Sequence, residues 1–391
     1  MRLIQHRKFP LLPRLSTLCS IPYGPVVWSI LSPTLRSFIV DVFLEADIPA
    51  VSALMDALGD IVAFPRLEKF HLEAVNMPPW PLRALSRMTN LRQLSIFGPD
   101  IANLGILVDL STLPYLEDLM VQFEPDATFV THPEFPLTPF VALKSLGIEA
   151  PALFLDTILV VLPVAVLQSL TIKPLKDAWV PESDERRALW TRYFQIISSR
   201  FSASMTTLVV ECDVRYELPP ESVSISLFEP LFEMRKLQKV DLSEMQEVIS
   251  MSNFGDQEFF RFASAWPAIQ ELDLPAMQTT ATIRTLQSFA TECPRLRHLQ
   301  ISFDVQAVEE TTLPMTSSPL EMLMVGETPM PEDEVHLARN LDRLFPSLQA
   351  VCYASATPKE WDRVGKLVRA FRAVRAEERA RCENCVRISA C

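Results

Sequence analysis

Residues 64–72 read F-P-R-L-E-K-F-H-L, and residues 293–301 read C-P-R-L-R-H-L-Q-I. In both, large apolar residues occupy the three key positions of L-x-x-L-x-L, namely Leu67/Phe70/Leu72 and Leu296/Leu299/Ile301, with a proline two residues ahead. The last two positions are two apart, the spacing at which a strand turns side chains to one face. Proline cannot extend a preceding helix and pushes its neighbour toward extended geometry, so each stretch reads as a helix-to-strand junction. Residues 345–351, F-P-S-L-Q-A-V, repeat the pattern.

The template recurs along the chain. It is found at Leu35/Phe38/Val40, Leu91/Leu94/Ile96, Leu116/Leu119/Val121, Leu143/Leu146/Ile148 and Leu167/Leu170/Ile172. It continues at Met205/Leu208/Val210, Leu237/Val240/Leu242, Ile269/Leu272/Leu274, Leu320/Leu323/Val325 and Leu348/Val351/Tyr353. A degraded copy, Leu15/Leu18, precedes them. Successive starts lie 24 to 38 residues apart. Pro33, Pro65, Pro114, Pro267, Pro294 and Pro346 precede six of the twelve copies by two residues, and Pro13 does so for the degraded one.

Between copies, apolar residues at helical spacing predict helices over 50–62, 81–88, 256–265, 282–290 and 332–345. The longest insertion, 176–204, predicts a helix near 185–200 with Leu189, Tyr193, Ile196 and Ile197 on one side and Arg186 elsewhere. A strand plus a helix cannot bury its apolar face alone, whereas stacked units bury a continuous core. The expected fold is an α/β leucine-rich-repeat solenoid, a right-handed horseshoe of 12–13 irregular repeats over residues 1–356. One parallel sheet would line its concave face. Thr357-Pro358-Lys359-Glu360 reads as a helix start with a capping box. Trp361, Val364, Leu367, Val368, Phe371 and Val374 would form one face of a helix within 357–391 that caps the last repeat.

Composition excludes several classes. The net charge of −12 opposes nucleic-acid binding, which needs a cationic face to replace counterions, and an anionic membrane surface is equally unsuited. Only 8 glycines occur, and neither G-x-G-x-x-G nor G-x-x-x-x-G-K-[ST] is present, so no phosphate-cradling loop is expected. Seven scattered cysteines form no disulfide framework, which suits an intracellular address in cytoplasm or nucleus. No apolar run is long enough to span a bilayer.

The sequence contains no H-E-x-x-H and no G-x-S-x-G. Cys382-x-x-Cys385 is half a zinc site that Cys391 and His336 would have to complete, and Cys293 with His298 is the sole nucleophile–base candidate. The expectation is therefore no catalytic residue, no metal ligand and no cofactor. The third and fifth template positions point opposite to the core leucines. Over four repeats these are Lys239 and Asp241, Glu271 and Asp273, His298 and Gln300, then Met322 and Met324. They compose an expected partner-binding patch, acidic at one end and apolar at the other.

On the three quoted stretches, the chain resembles F-box/LRR proteins of the divergent fungal type. The resemblance covers the leucine-rich-repeat region only. It implies substrate recognition within an SCF-type ubiquitin ligase, with the repeats holding a protein substrate. In that family an F-box docks the cullin–RING adaptor. Repeat-like residues start at Leu11, so no F-box is expected in this chain, and adaptor binding requires one upstream. The alternative is a structural or vestigial repeat protein with no ubiquitin-ligase link. The family's asparagine, eight residues after the first leucine, is replaced by Val75, Pro99, Glu124 and Met245, which predicts irregular loops.

Overall fold

The computed structural model describes residues 14–20, 32–42, 65–74, 85–98, 104–123, 140–162, 166–175, 183–212, 221–276, 279–305, 313–328, 331–353 and 359–389. The helix expected over 50–62 lies outside these residues, as do Thr357 and Pro358. Of the helix expected over 81–88, residues 85–87 are described, and they form a single 3-10 turn.

Two compact units can be distinguished, Met1–Pro181 and Glu182–Cys391. In the first, seven strands pair parallel in chain order: β1 (Thr17–Ser20), β2 (Ser37–Val42), β3 (Lys69–Ala74), β4 (Gln93–Phe97), β5 (Asp118–Gln122), β6 (Ser145–Pro151) and β7 (Ser169–Leu175). Helices α1 (Leu104–Ser111) and α2 (Ala152–Val161) belong to its repeats. In the second, six strands do the same: β8 (Thr207–Val210), β9 (Lys239–Asp241), β10 (Glu271–Asp273), β11 (His298–Ile301), β12 (Met322–Val325) and β13 (Ala350–Tyr353). Its helices are α3 (Ser183–Phe201), α4 (Asp256–Ala265), α5 (Ile283–Glu292), α6 (Glu334–Leu344) and α7 (Lys359–Ser389).

Each of these thirteen strands begins two residues after the first apolar residue of a template copy, the degraded copy included, whereas the short parallel pair Glu221–Ser222 and Ile249–Ser250 follows no copy. The register then lines up equivalent positions. Phe38, Phe70, Leu94, Leu119, Leu146 and Leu170 lie side by side across β2–β7, none more than 2% exposed. Leu208, Val240, Leu272, Leu299 and Leu323 form the matching row across β8–β12 and are fully buried. Each such side chain contributes about 1.5–3 kcal/mol relative to an exposed one. This parallel strand–helix repetition, with its leucine rows facing the helices, is a leucine-rich-repeat fold.

The proline signal has a local cause. Helices α4, α5 and α6 end on Trp266, Cys293 and Phe345, whose φ/ψ values are −122/70, −113/74 and −131/73. Proline follows each, and it disfavours helical geometry in the residue before it. The chain then makes one tight turn with proline in its second position, closed by Ile269 N–H to Trp266 O (3.0 Å), Leu296 N–H to Cys293 O (3.1 Å) and Leu348 N–H to Phe345 O (3.0 Å). Leu91 N–H to Met88 O (2.9 Å) and Leu237 N–H to Met234 O (3.2 Å) close the same turn without proline. Proline is therefore one way of making this junction, which is why half the copies lack it.

Neighbouring helices are tied at their starts. Asp256, in the first turn of α4, accepts hydrogen bonds from Thr282 N–H (2.7 Å), Thr282 Oγ1 (2.8 Å) and Thr285 Oγ1 (2.7 Å) at the start of α5. Where the family's asparagine would stand, Met245 is buried in a 3-10 turn over Ser243–Glu247. An apolar contact thus replaces a hydrogen-bonded ladder at that position.

Two faces differ from expectation. On α3 the buried side carries Trp190, Tyr193, Phe194, Ile197 and Phe201, and Arg186 joins it at 9% exposure. The larger aromatics take the inner position, with Phe194 stacked on Phe228 at 5.9 Å, leaving Leu189 and Ile196 at the rim. On α7, Trp361, Val364 and Val368 are buried while Val374 is 54% exposed. Arg375 takes the inward place instead, through an ion pair with Asp342 of α6. No described helix is long and apolar enough to cross a membrane.

Candidate functional site

The non-core side of β8–β13 gathers the predicted patch. Lys239, Glu271, His298 and Met322 form one transverse row by register, and Asp241, Asp273, Gln300 and Met324 form the next. All eight residues are brought to one face. The rows extend further than the four strands read from sequence. Thr207 and Val209 continue them on β8, and Ala350 and Cys352 on β13. The third and fifth template positions of the flanking copies were the signal for these four.

The charges in the patch are mostly spent on one another. Lys239 Nζ lies 2.9 Å from Glu271 Oε2, and His298 Nε2 lies 2.8 Å from Asp273 Oδ1. The hydrogen bond that the Lys239 ammonium donates to Glu271 raises it above its ordinary value against partial desolvation, helped by the Glu271, Asp241 and Asp273 charges. The Asp273 hydrogen bond likewise raises the His298 imidazole, with burial and Lys239 opposing. Asp241 accepts from Ser243 N–H (3.1 Å) and Ser243 Oγ (2.7 Å), fixing the chain as it leaves β9. The acidic end is therefore a set of short cross-strand pairs rather than an open anionic surface.

Gln300 departs from its expected exposure. It is 8% exposed, and its amide donates to Leu274 O at 3.2 Å. Placed between Asp273 and Met324 in the ladder, it serves the backbone of the neighbouring repeat. Met322, by contrast, is 37% exposed, and Met324 beside it is half-buried. The accessible part of the patch thus runs from the Lys239–Glu271 pair through His298 to the two methionines. Methionine is unbranched and polarisable, so such a surface adapts to apolar partner side chains.

The nucleophile–base candidate is not assembled. Cys293 is fully buried at the end of α5, where its thiol donates to Ala263 O at 3.3 Å. Burial pushes that thiol up to about 12, leaving it protonated at neutral pH. His298 faces the opposite side of the sheet and is engaged by Asp273. In the tail, Cys382 is exposed, while the Cys385 side chain and Cys391 lie outside the described residues. A cleft of about 350 Å³ between α3 and residues 224–227 is lined by Arg187, Thr191, Arg192, Gln195, Ser224 and Ser226. Its described lining holds hydroxyls and guanidinium groups, and none of those described residues is a general base.

No protein-family model matches the sequence, and none of the curated proteins does. Solved structures that match over most of this chain include two at low similarity. An internalin from Listeria monocytogenes is 10% identical with a TM-score of 0.40, the alignment covering 88% of this chain and 88% of that one. The TLR13–ssRNA13 complex is 15% identical with a TM-score of 0.37, covering 83% of this chain and 48% of that one. At these similarities the fold rests on the strand order and leucine register of the chain itself.

Proposed function

We propose that this chain is a non-catalytic protein-interaction scaffold whose partner docks on the solvent-facing side of β9–β12. The observation that carries this reading is the pair of in-register rows in which self-neutralised charges give way to the accessible Met322 and Met324. Parallel repeats place equivalent side chains about 4.8 Å apart, so a few template positions build a continuous surface. The net charge of −12 disfavours nucleic acid and anionic membranes as the partner. The finer reading is substrate recognition for an SCF-type ubiquitin ligase, supported by the repeat resemblance at residues 64–72, 293–301 and 345–351. An intracellular address belongs with it, supported by the free thiols of Cys19, Cys293, Cys352 and Cys382.

The test is quantitative affinity capture from cells with the full chain and with a Met322→Glu/Met324→Glu variant. A defined set of proteins lost by the variant and retained by a Val335→Glu control, on an exposed position of α6, supports docking on this face. The same proteins captured by all three chains overturn it. Ubiquitylation of a captured partner by a cullin–RING ligase carrying the full chain supports the finer reading. A bound but unmodified partner leaves a scaffold with no ligase link.

A further inference from the structure

In the first unit, Asp41 of β2 and Glu73 of β3 are register partners, and His71 precedes Glu73 by two residues. That spacing sends all three side chains to the same face of the sheet, opposite to Val40 and Leu72 of the core. A carboxylate oxygen from Asp41, another from Glu73 and an imidazole nitrogen of His71 all lie within 4.8 Å of one another. Donors around a tetrahedral Zn²⁺ at ~2.0–2.2 Å are roughly 3.3–3.6 Å apart. Rotamer adjustments of about an ångström in each side chain therefore bring these three onto a single ion.

The electrostatic setting sets this cluster apart from the rest of the sheet. Glu68 has Arg36 at 3.0 Å, Glu117 has Lys144 at 2.9 Å and also Arg92, and Asp118 has the Gln93 amide at 2.8 Å. Glu149 has Lys173 at 3.6 Å and the Gln122 amide at 3.1 Å. Each acid in or just before a strand of this unit is thus answered from the adjacent strand. Asp41 and Glu73 are the exception: among the described residues neither has a hydrogen bond or an ion pair. Two carboxylates directly opposite one another in a sheet destabilise it unless something compensates. Lys69, the cation on the same face of β3, stands four residues from Glu73, ~13 Å along the strand. The His71 ring packs on Phe97 at 5.4 Å, which restricts the imidazole.

The geometry points to a Zn²⁺-binding site formed by Asp41, His71 and Glu73. One imidazole nitrogen with two carboxylate oxygens is a borderline donor set, which favours a late first-row cation over Mg²⁺ or Ca²⁺. Zn²⁺ accepts three protein ligands and leaves its fourth position to water. Bound there, it offsets the facing carboxylates and clips β2 to β3 through side chains. The site belongs to the first unit and the patch to the second, with no residue in common, so the fate of each is read independently.

The test is calorimetric titration of ZnCl2 into the full chain carrying Cys382→Ser, Cys385→Ser and Cys391→Ser, which removes the tail thiols. One site is expected, with MgCl2 in excess failing to displace the metal. His71→Ala, Asp41→Asn and Glu73→Gln should each weaken binding by about tenfold or more, the loss that even indirect support of a metal ligand causes. Zn²⁺ should also raise the melting temperature of the parent chain and not that of His71→Ala. Zn²⁺ binding unchanged in the triple variant overturns the assignment. So does Zn²⁺ binding that Mg²⁺ displaces and His71→Ala leaves intact, since that describes an acidic pair and not this site. The three side chains lie outside the core, and matching circular dichroism shows that the variants are folded.

Discussion

Gly326, just past the end of β12, shows how tightly successive repeats are pressed together. A Cβ at this position would stand 2.7 Å from the Ala276 Cα and 2.2 Å from the Ser302 Oγ. The Ser302 hydroxyl can rotate, but the Ala276 backbone cannot yield without moving a neighbouring repeat. Gly326→Ala is expected to cost about 1–3 kcal/mol, as overpacking does, and urea denaturation measures it. A variant as stable as the parent would show that these repeats separate easily. His298 gives a pH signature. Asp273 raises its folded-state affinity for the proton, so the folded chain holds that proton more tightly than the unfolded one. The resulting stabilisation is complete below the ordinary histidine value, ~6.5, and is lost as pH rises through the raised value. Because the pair is partly screened by solvent, the loss should stay below about 1 kcal/mol. Unfolding free energies measured across this window should fall with pH more steeply for the parent than for His298→Gln. Equal slopes would remove the pair from the account.

At the scale of elements, the second unit is held by helix ends as much as by strand ladders. Asp256 joins two helix starts, and the three Trp/Cys/Phe-Pro junctions set where helices stop and strands begin. Helix α7 lies on β13 and α6 by a short apolar stripe, with Trp361 1% exposed and its ring 6.4 Å from that of Phe303. Arg363 to Glu334 at 2.9 Å and Arg372 to Ser347 O at 3.3 Å flank the stripe. Ala376, Glu377, Glu378, Ala380, Arg381 and Cys382 of α7 are exposed. Trp361→Ala should cost about 3–5 kcal/mol, since it empties a fully buried aromatic site. The thermal midpoint reports that loss, and a shift of a degree or less would mean that α7 contributes little to covering β13. The ion pairs flanking the stripe contribute less, for they lie near solvent.

At the scale of the whole molecule, contacts run mainly between successive repeats. In such an architecture stability is close to a sum of repeat terms and nearest-neighbour terms. Leu272→Ala, in the middle of the second unit's buried row, should cost about 2–5 kcal/mol. Hydrogen exchange should quicken most in β9, β10 and β11, and least in β13. A uniform acceleration throughout that unit would show a single cooperative core instead. The sequence pattern located all thirteen strands of the two parallel runs, because the inward–outward alternation of a strand is written into consecutive residues, and missed the short pair Glu221–Ser222 and Ile249–Ser250. It located α4, α5 and α6 through their helical apolar spacing. It placed Arg186 and Val374 on the wrong sides of their helices, since periodicity cannot tell which of two adjacent stripes a neighbouring aromatic or carboxylate will claim. It placed Gln300 in the open, because its partner, Leu274 O, comes from another repeat.

What the chain settled on its own was the repeat, its phase and its tight turns, all products of interactions within a few residues. Which charged residues meet was decided only when strands paired in register. Lys239 meets Glu271 32 positions further along the chain, and Asp41 meets Glu73 at the same separation, because insertions of unequal length still deliver each leucine to the same row. Burial of that row sets the alignment, and the outward side chains follow wherever it carries them.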